Sequence, residues 1–314
     1  MRLLYKSRRM AQNHAMKIKL SPALALLGVC LCIGVTGARA QKLPAAITTD
    51  PPRDSSFPAT IEAPDILSHG ARLNAVFYIA AGGSAHPAVL LLHGFPGNEQ
   101  NLDLAYVLQR AGWNVLFFHY RGSWGSSGNF TFSNALEDTQ AAMDFLRDPK
   151  NVARYRINPK RIVVIGHSMG GFIAAYTAAH DPGVSAIVMM AAWNLGAVVS
   201  RPSFSERMDT FQNASPRLAG TTPEGLVAEA KAHATEWNYI DYVNQLKTRP
   251  VLILEANDRN AEDNRALAEN LDKAGNSQVT EKYLETDHSF SDHRVALQIA
   301  ILEWLQHLPA PMAK

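Results

Sequence analysis

The sequence predicts an α/β fold: a mostly parallel sheet flanked by helices on both faces, with a helical cap insertion late in the chain. Three observations predict it. Short β-rich apolar runs alternate with helical patterns, the order expected of parallel strands joined by crossover helices. Ala88-Val89-Leu90-Leu91-Leu92 is apolar throughout, as a strand buried on both faces must be. Gly166-His167-Ser168-Met169-Gly170 stands between an apolar run, Arg161-Ile162-Val163-Val164-Ile165, and an alanine-rich helix opening at Gly171-Phe172-Ile173-Ala174-Ala175-Tyr176. Gly-X-Ser-X-Gly between a strand and a helix makes a turn so tight that its flanking positions must be small, and it lifts the serine hydroxyl above the sheet over the helix N-terminus.

The first forty residues are unlike the rest. They hold seven basic residues, from Arg2 to Arg39, and no acidic one. A largely apolar run from Leu20 to Val35 follows, and Ala38-Arg39-Ala40 fits a small-X-small cleavage signal before Gln41. This is the outline of a secretory signal peptide over residues 1–40, cleaved near Ala40. The apolar run is shorter than the roughly twenty residues a spanning helix needs, so no stable membrane span is expected after processing. Met16-Lys17-Ile18-Lys19 would make a more ordinary start than Met1. Both cysteines, Cys30 and Cys32, lie in the segment to be removed, so disulfides and thiol chemistry leave the mature chain together. Of 30 basic residues 23 remain against 28 acidic ones. An acidic mature protein without a basic run has no electrostatic footprint for nucleic acid.

Of 314 residues, those from Gln41 to Phe57, with Pro44, Pro51 and Pro52, read as an extended leader. Residues 58–314 read as one domain. Leu73 to Ala80 is expected as an early strand with Leu73, Ala75, Phe77 and Ile79 on one face. After the strand Ala88–Leu92, Asn101 to Gly112 reads as a helix ended by glycine. Val115–Phe118 is the next strand. Ser133 is expected to cap a helix to about Arg147, with Leu136, Ala141, Ala142 and Phe145 on its apolar face. Ser185–Met190 and Val251–Leu254 are buried strands, and Gln278 to Leu284 alternates like an edge strand. Helices from about Ala261 to Ala274 and Ser291 to His307 bracket it, the second with Val295, Ile299, Leu302 and Leu305 facing inward. No strand appears from Trp193 to Arg249, and a structureless loop of that length is rare. Thr222-Pro223-Glu224 starts a helix with a cap, a first-turn proline and an early acid. The stretch 194–248 is therefore expected as a helical insertion over the strand ends, where ligands bind in open parallel sheets. A peripheral helical pair that covers core is the alternative.

The chain resembles the α/β-hydrolase superfamily from about residue 60 to 310. Within it the sequence looks most like the prolyl-oligopeptidase-like and serine-aminopeptidase-like hydrolases. The resemblance rests on His93-Gly94-Phe95-Pro96-Gly97, on Tyr120-Arg121-Gly122-Ser123-Trp124-Gly125-Ser126-Ser127-Gly128, on the Gly-X-Ser-X-Gly turn and on His288-Ser289-Phe290. It implies Ser168 as nucleophile, and His288, after the last strand, as base. The implied third member is Asp258, in the loop after Val251–Leu254, in the order Ser, Asp, His. Glu255 and Asp263 are rivals to Asp258, and His293 to His288; His93 and His167 are motif fillers. The oxyanion hole would be the backbone N–H groups of Phe95 and Met169. The spacing of Asp287, His288, Asp292 and His293 matches no zinc pattern, so no metal is expected, and no organic cofactor is implied. Arg121 either orients a substrate carboxylate or ties its loop to a nearby acid. Trp124 and Trp193 either line an acyl pocket or belong to the core.

These implications point to an exported serine hydrolase, periplasmic or secreted, cleaving carboxylic esters through an acyl-enzyme. The runner-up is a serine peptidase or aminopeptidase on short peptides, and a different class is a non-catalytic ligand-binding homologue. The expected partner is a small-molecule ester or short peptide; nothing in the sequence points to an oligomeric state.

Overall fold

The structure is a computed structural model and describes residues 43–309. The expected signal peptide lies outside the described residues. Ten strands are present among those residues: β1 (Thr60–Glu62), β2 (Ile66–Ser68), β3 (Ala71–Leu73), β4 (Ala75–Ile79), β5 (His86–Leu92), β6 (Asn114–Phe118), β7 (Ile157–His167), β8 (Ala186–Met190), β9 (Val251–Glu255) and β10 (Val279–Tyr283). Eight of them form one sheet in the order β1-β4-β6-β5-β7-β8-β9-β10, while β2 and β3 pair as a separate hairpin. Only β1 and β4 run against their neighbours; β5 to β10 are parallel.

Period-two alternation along β5 sends Ala88, Leu90 and Leu92 to one core and Val89 and Leu91 to the other. The first core is closed by α3 (Phe132–Arg147), α5 (Met169–His180) and α10 (Ala261–Lys273), the second by α2 (Leu102–Arg110) and α11 (Arg294–Gln306). Helix α1 (Ala45–Thr48) lies in the leader, which is therefore not extended throughout. Arg110 Nε donates to Ala46 O at 2.7 Å, and Ala46 and Ile47 pack on the second core. Helix α4 (Pro149–Tyr155) leads into β7.

Several local expectations shift. The strand Leu73–Ala80 is broken at Asn74, whose N–H donates to Ser126 Oγ and whose Nδ2 donates to Trp124 O, both at 2.8 Å. That residue leaves the ladder to hold the loop 121–128. Thr131, not Ser133, caps α3, accepting from Asn134 N at 2.9 Å. The buried face of α3 is Ala135, Ala142, Met143 and Leu146, one position out of phase with the expected one; Leu136, Ala141 and Phe145 flank it. In α11 Leu302 and Leu305 are buried as expected, but Val295 is 51% exposed, and Leu297 and Ile301 complete the core side. Its sequence is apolar nearly all round in that stretch, so two phases fit the periodicity.

Between Trp193 and Arg249 the described residues form helices: α6 (Leu195–Ser200), α7 (Met208–Ala214), α8 (Pro223–Ala232) and α9 (Val243–Leu246), with short single-turn helices between them. Thr222 Oγ1 caps α8, accepting from Gly225 N at 3.0 Å. Trp237 and Tyr242 pack on Phe172 and Tyr176 of α5. The insertion thus covers the helix that carries the Gly-X-Ser-X-Gly turn.

Candidate active site

The turn after β7 is built by what its glycines lack. A Cβ at Gly166 would stand 1.9 Å from Gly170 O, and one at Gly170 2.4 Å from Leu92 O. Ser168 sits at φ 55° and ψ −117°, a conformation that costs a non-glycine residue on the order of 1–3 kcal/mol. It is pinned there by its own N–H donating to Met190 O and by Trp193 N–H donating to Ser168 O, each 2.9 Å. Met169 is the first residue of α5, so its N–H has no intrahelical partner and lies at the positive end of the helix dipole.

Asp258 lies just beyond β9 and His288 beyond β10, so neighbouring parallel strands deliver both to the same edge of the sheet. His288 Nδ1 and Asp258 Oδ2 are 2.5 Å apart. A carboxylate accepts, so Nδ1 carries the hydrogen and Nε2 is left bare, as a base needs. Asp258 Oδ1 accepts from Asn260 N at 2.8 Å, which fixes the carboxylate plane. The rivals are occupied elsewhere. Glu255 is buried at the end of β9 against Arg265 Nη2 at 3.0 Å, and Asp263 is bonded to Arg201. His293 precedes α11 with Nδ1 2.9 Å from Asp292 Oδ1.

The two filler histidines do more than fill. His167 Nε2 donates to the backbone carbonyl of His288 at 2.8 Å, with the two rings 4.8 Å apart. Burial, then the proximity of His288, pulls the His167 pKa down to about 3, so the ring is a neutral brace under the His288 loop. His93 Nδ1 donates to Gly94 O at 2.7 Å, and its Nε2 lies 3.3 Å from His119 Nδ1. Burial, with His119 next, lowers His93 to about 3, and burial lowers His119 to about 4. Because a trans peptide is planar, holding the Gly94 carbonyl turns the Phe95 N–H the opposite way. Among the described residues neither that N–H nor the one of Met169 has a backbone acceptor.

Ser168 and His288 share one cleft of about 150 Å³, lined also by Gly94, Phe95, Asn98 and Glu99. Trp124 and Trp193 do not line it. Trp124 is 42% exposed with Nε1 donating to Pro96 O at 2.6 Å, whereas Trp193 is buried among phenylalanines. Arg121 takes the structural role: its Nε donates to the buried Asp138 at 2.5 Å and its Nη2 to Glu137. Among the described residues no group of three or more His, Cys, Asp or Glu is placed to hold a metal, and no helix is long and apolar enough to cross a membrane. The braces at His167 and Asn260 were not legible, since each acts through a backbone carbonyl or N–H that no side-chain motif announces.

A family model described as alpha/beta hydrolase fold matches residues 87–222. Among curated proteins, YfhR of Escherichia coli O157:H7, itself uncharacterised, is 27% identical over 194 residues, 58% of this chain and 66% of its own length. That match spans just under two thirds of the relative. Among solved structures, an esterase of Pyrococcus furiosus superposes with a TM-score of 0.59 at 21% identity, over 83% of this chain and 98% of its own. An acylaminoacyl peptidase of Pyrococcus horikoshii does so with a TM-score of 0.62 at 15% identity, over 82% of this chain and 43% of its own. Taken with the parallel sheet and the tight serine turn between β7 and α5, these matches show that the chain has the α/β-hydrolase fold.

Proposed function

We propose that the protein is an exported serine hydrolase that cleaves carboxylic esters through an acyl-enzyme. The observation that carries the reading is the 2.5 Å His288–Asp258 bond in a histidine that shares its cleft with Ser168. Ser168 Oγ attacks the ester carbonyl carbon as its proton passes to the bare Nε2 of His288. Asp258 stabilises the imidazolium without taking its proton. The N–H groups of Phe95 and Met169 receive the developing oxyanion; such a donor is worth about 3 kcal/mol in the transition state. When the carbonyl re-forms, the C–O bond to the alcohol breaks and His288 gives the alcohol its proton. Water, deprotonated by His288, then attacks the acyl-enzyme and frees Ser168 and the acid.

The ester reading is supported by esterases among the similar solved structures, one of which the chain matches over 98% of its length; the acylaminoacyl peptidase, matched over 82% of this chain, supports the runner-up, a peptidase. Export is supported by the composition of residues 1–40 alone. The test is labelling by a short-armed fluorophosphonate, beside Ser168→Ala and His288→Ala, with p-nitrophenyl esters against aminoacyl anilides. Labelling of the wild type alone supports the nucleophile. A folded wild type that stays unlabelled rejects it, and faster anilide than ester turnover turns the reading to a peptidase. Mass measurement of the protein recovered from its host tests cleavage after Ala40.

A further inference from the structure

We propose that the protein acts on esters with short acyl groups, and that Phe211, brought in by the insertion, sets the limit. The inference rests on the serine-hydrolase reading above. Chemistry fixes where the alcohol goes. His288 must hand its proton to the departing oxygen, so the alcohol occupies the side of Ser168 on which His288 stands. That side is the cleft lined by Asn98, Glu99, His288 and Ser289. The acyl group therefore extends the other way, past Phe95, the aromatic ring that lines the cleft beside Ser168.

That direction is filled. Phe95, Phe132, Trp193 and Phe211 form a cluster in which all six ring-centroid distances fall between 5.5 and 6.3 Å. Phe132, Trp193 and Phe211 are 1%, 7% and 0% exposed. Rings packed to interior density leave no slot for an alkyl chain. An acetyl group meets only Phe95 at the cleft wall, whereas six or eight carbons must displace a ring behind it. Phe95 and Trp193 are tied to the oxyanion loop and the serine turn, and Phe132 begins α3. Phe211 alone comes from α7 of the insertion, so it is the ring that changes without disturbing the reacting atoms.

The experiment measures kcat/KM on p-nitrophenyl acetate, butyrate, hexanoate and octanoate for the wild type, Phe211→Ala and Phe211→Leu, beside fluorophosphonate labelling and thermal melts of each. Pockets discriminate by roughly 10–200-fold per methylene. The wild type is expected to prefer acetate over octanoate by more than about a hundredfold. Phe211→Ala is expected to raise the octanoate-to-acetate ratio at least about tenfold, and Phe211→Leu by less; if the alanine variant does not fold, the leucine variant decides. A labelled wild type that cleaves octanoate as readily as acetate overturns this inference alone, as do folded variants with the wild-type ratio. Failure of the wild type to label overturns the nucleophile reading, and this inference with it.

Discussion

Replacing Gly94 with alanine separates the oxyanion loop from the fold that carries it. A Cβ at Gly94 would stand 2.9 Å from Ser168 Cβ and 3.3 Å from His167 O. Carbon atoms rest at about 3.5–4.0 Å, so the loop must withdraw from the serine by about 0.6–1.1 Å. Oxyanion donors work within about 2.7–3.1 Å of the developing charge. A retreat of that size carries the next residue's N–H, that of Phe95, out of range. The expected loss is that of one donor, about 10²–10³ in kcat, with KM little changed because the ground-state carbonyl makes weaker use of it. Stability suffers less than at Gly166, because the nearest backbone atom lies 3.3 Å from a Cβ at Gly94 but only 1.9 Å from one at Gly166. The assay is p-nitrophenyl acetate hydrolysis and the rate of fluorophosphonate labelling, with a thermal melt. A folded Gly94→Ala protein with kcat within about threefold of wild type would refute the placement of Phe95 N–H, since a lost donor costs far more.

Asp258→Asn should leave the melt near wild type and lower kcat by about 10⁴, because an amide holds His288 in the wrong tautomer; a loss below tenfold argues that another group orients the histidine. Arg121→Ala strands the buried Asp138, and breaking such a pair costs about 3–5 kcal/mol. A fall in Tm of about 10 °C is expected for a domain of this size; an unchanged Tm argues that the pair is not buried in solution. Acid should unfold the protein early. His93, His119 and His167 are held at about 3, 4 and 3 in the fold, against 6.5 when free. The unfolded chain therefore binds more protons below about pH 6.5, and stability falls with pH by up to about 4 kcal/mol per unit for three such groups. Glu255, pushed up by burial and by Glu281, works in the opposite sense, adding stability at low pH that is lost as pH rises. Urea titrations from pH 4 to 8 read the slope, and a flat profile between pH 5 and 6.5 rejects the neutral-histidine account.

Much of this architecture was legible because its signals are local. Ala88–Leu92 can only be a strand buried on both faces, and Gly166 and Gly170 close a turn that tolerates no Cβ. The chain order of Ser168, Asp258 and His288 was readable against the strands that precede them; Ser168 and His288 line one cleft, and Asp258 is bonded to His288. The unreadable parts depend on geometry between distant segments. Thr131 and Ser133 are both competent caps, and what selects the first is the approach of Glu229, whose carboxylate accepts from Phe132 N and Ser133 N at 2.9 Å. The exposure of Val295 follows from how α11 rolls on the sheet, which a helix apolar on most of its faces does not dictate. That Phe211 would reach Phe95 across the insertion is likewise invisible in either segment alone.

The insertion leaves the sheet after β8 and returns to it at β9, two strands that lie side by side. Its ends are therefore already together, and closure entropy grows only slowly with the length of what lies between. Extra length within this segment therefore costs the strands that carry Ser168, Asp258 and His288 little. The restraints are the points at which it grips the rest of the fold: Tyr239 OH meets Ala192 O and Asn264 Oδ1, both at 3.2 Å, Glu229 accepts from the first turn of α3, and Trp237 and Tyr242 pack on α5. On the proposals above, the ring that limits the acyl group and the residues that break the bond thus lie on separate stretches of one chain, and either can be altered with the other left in place.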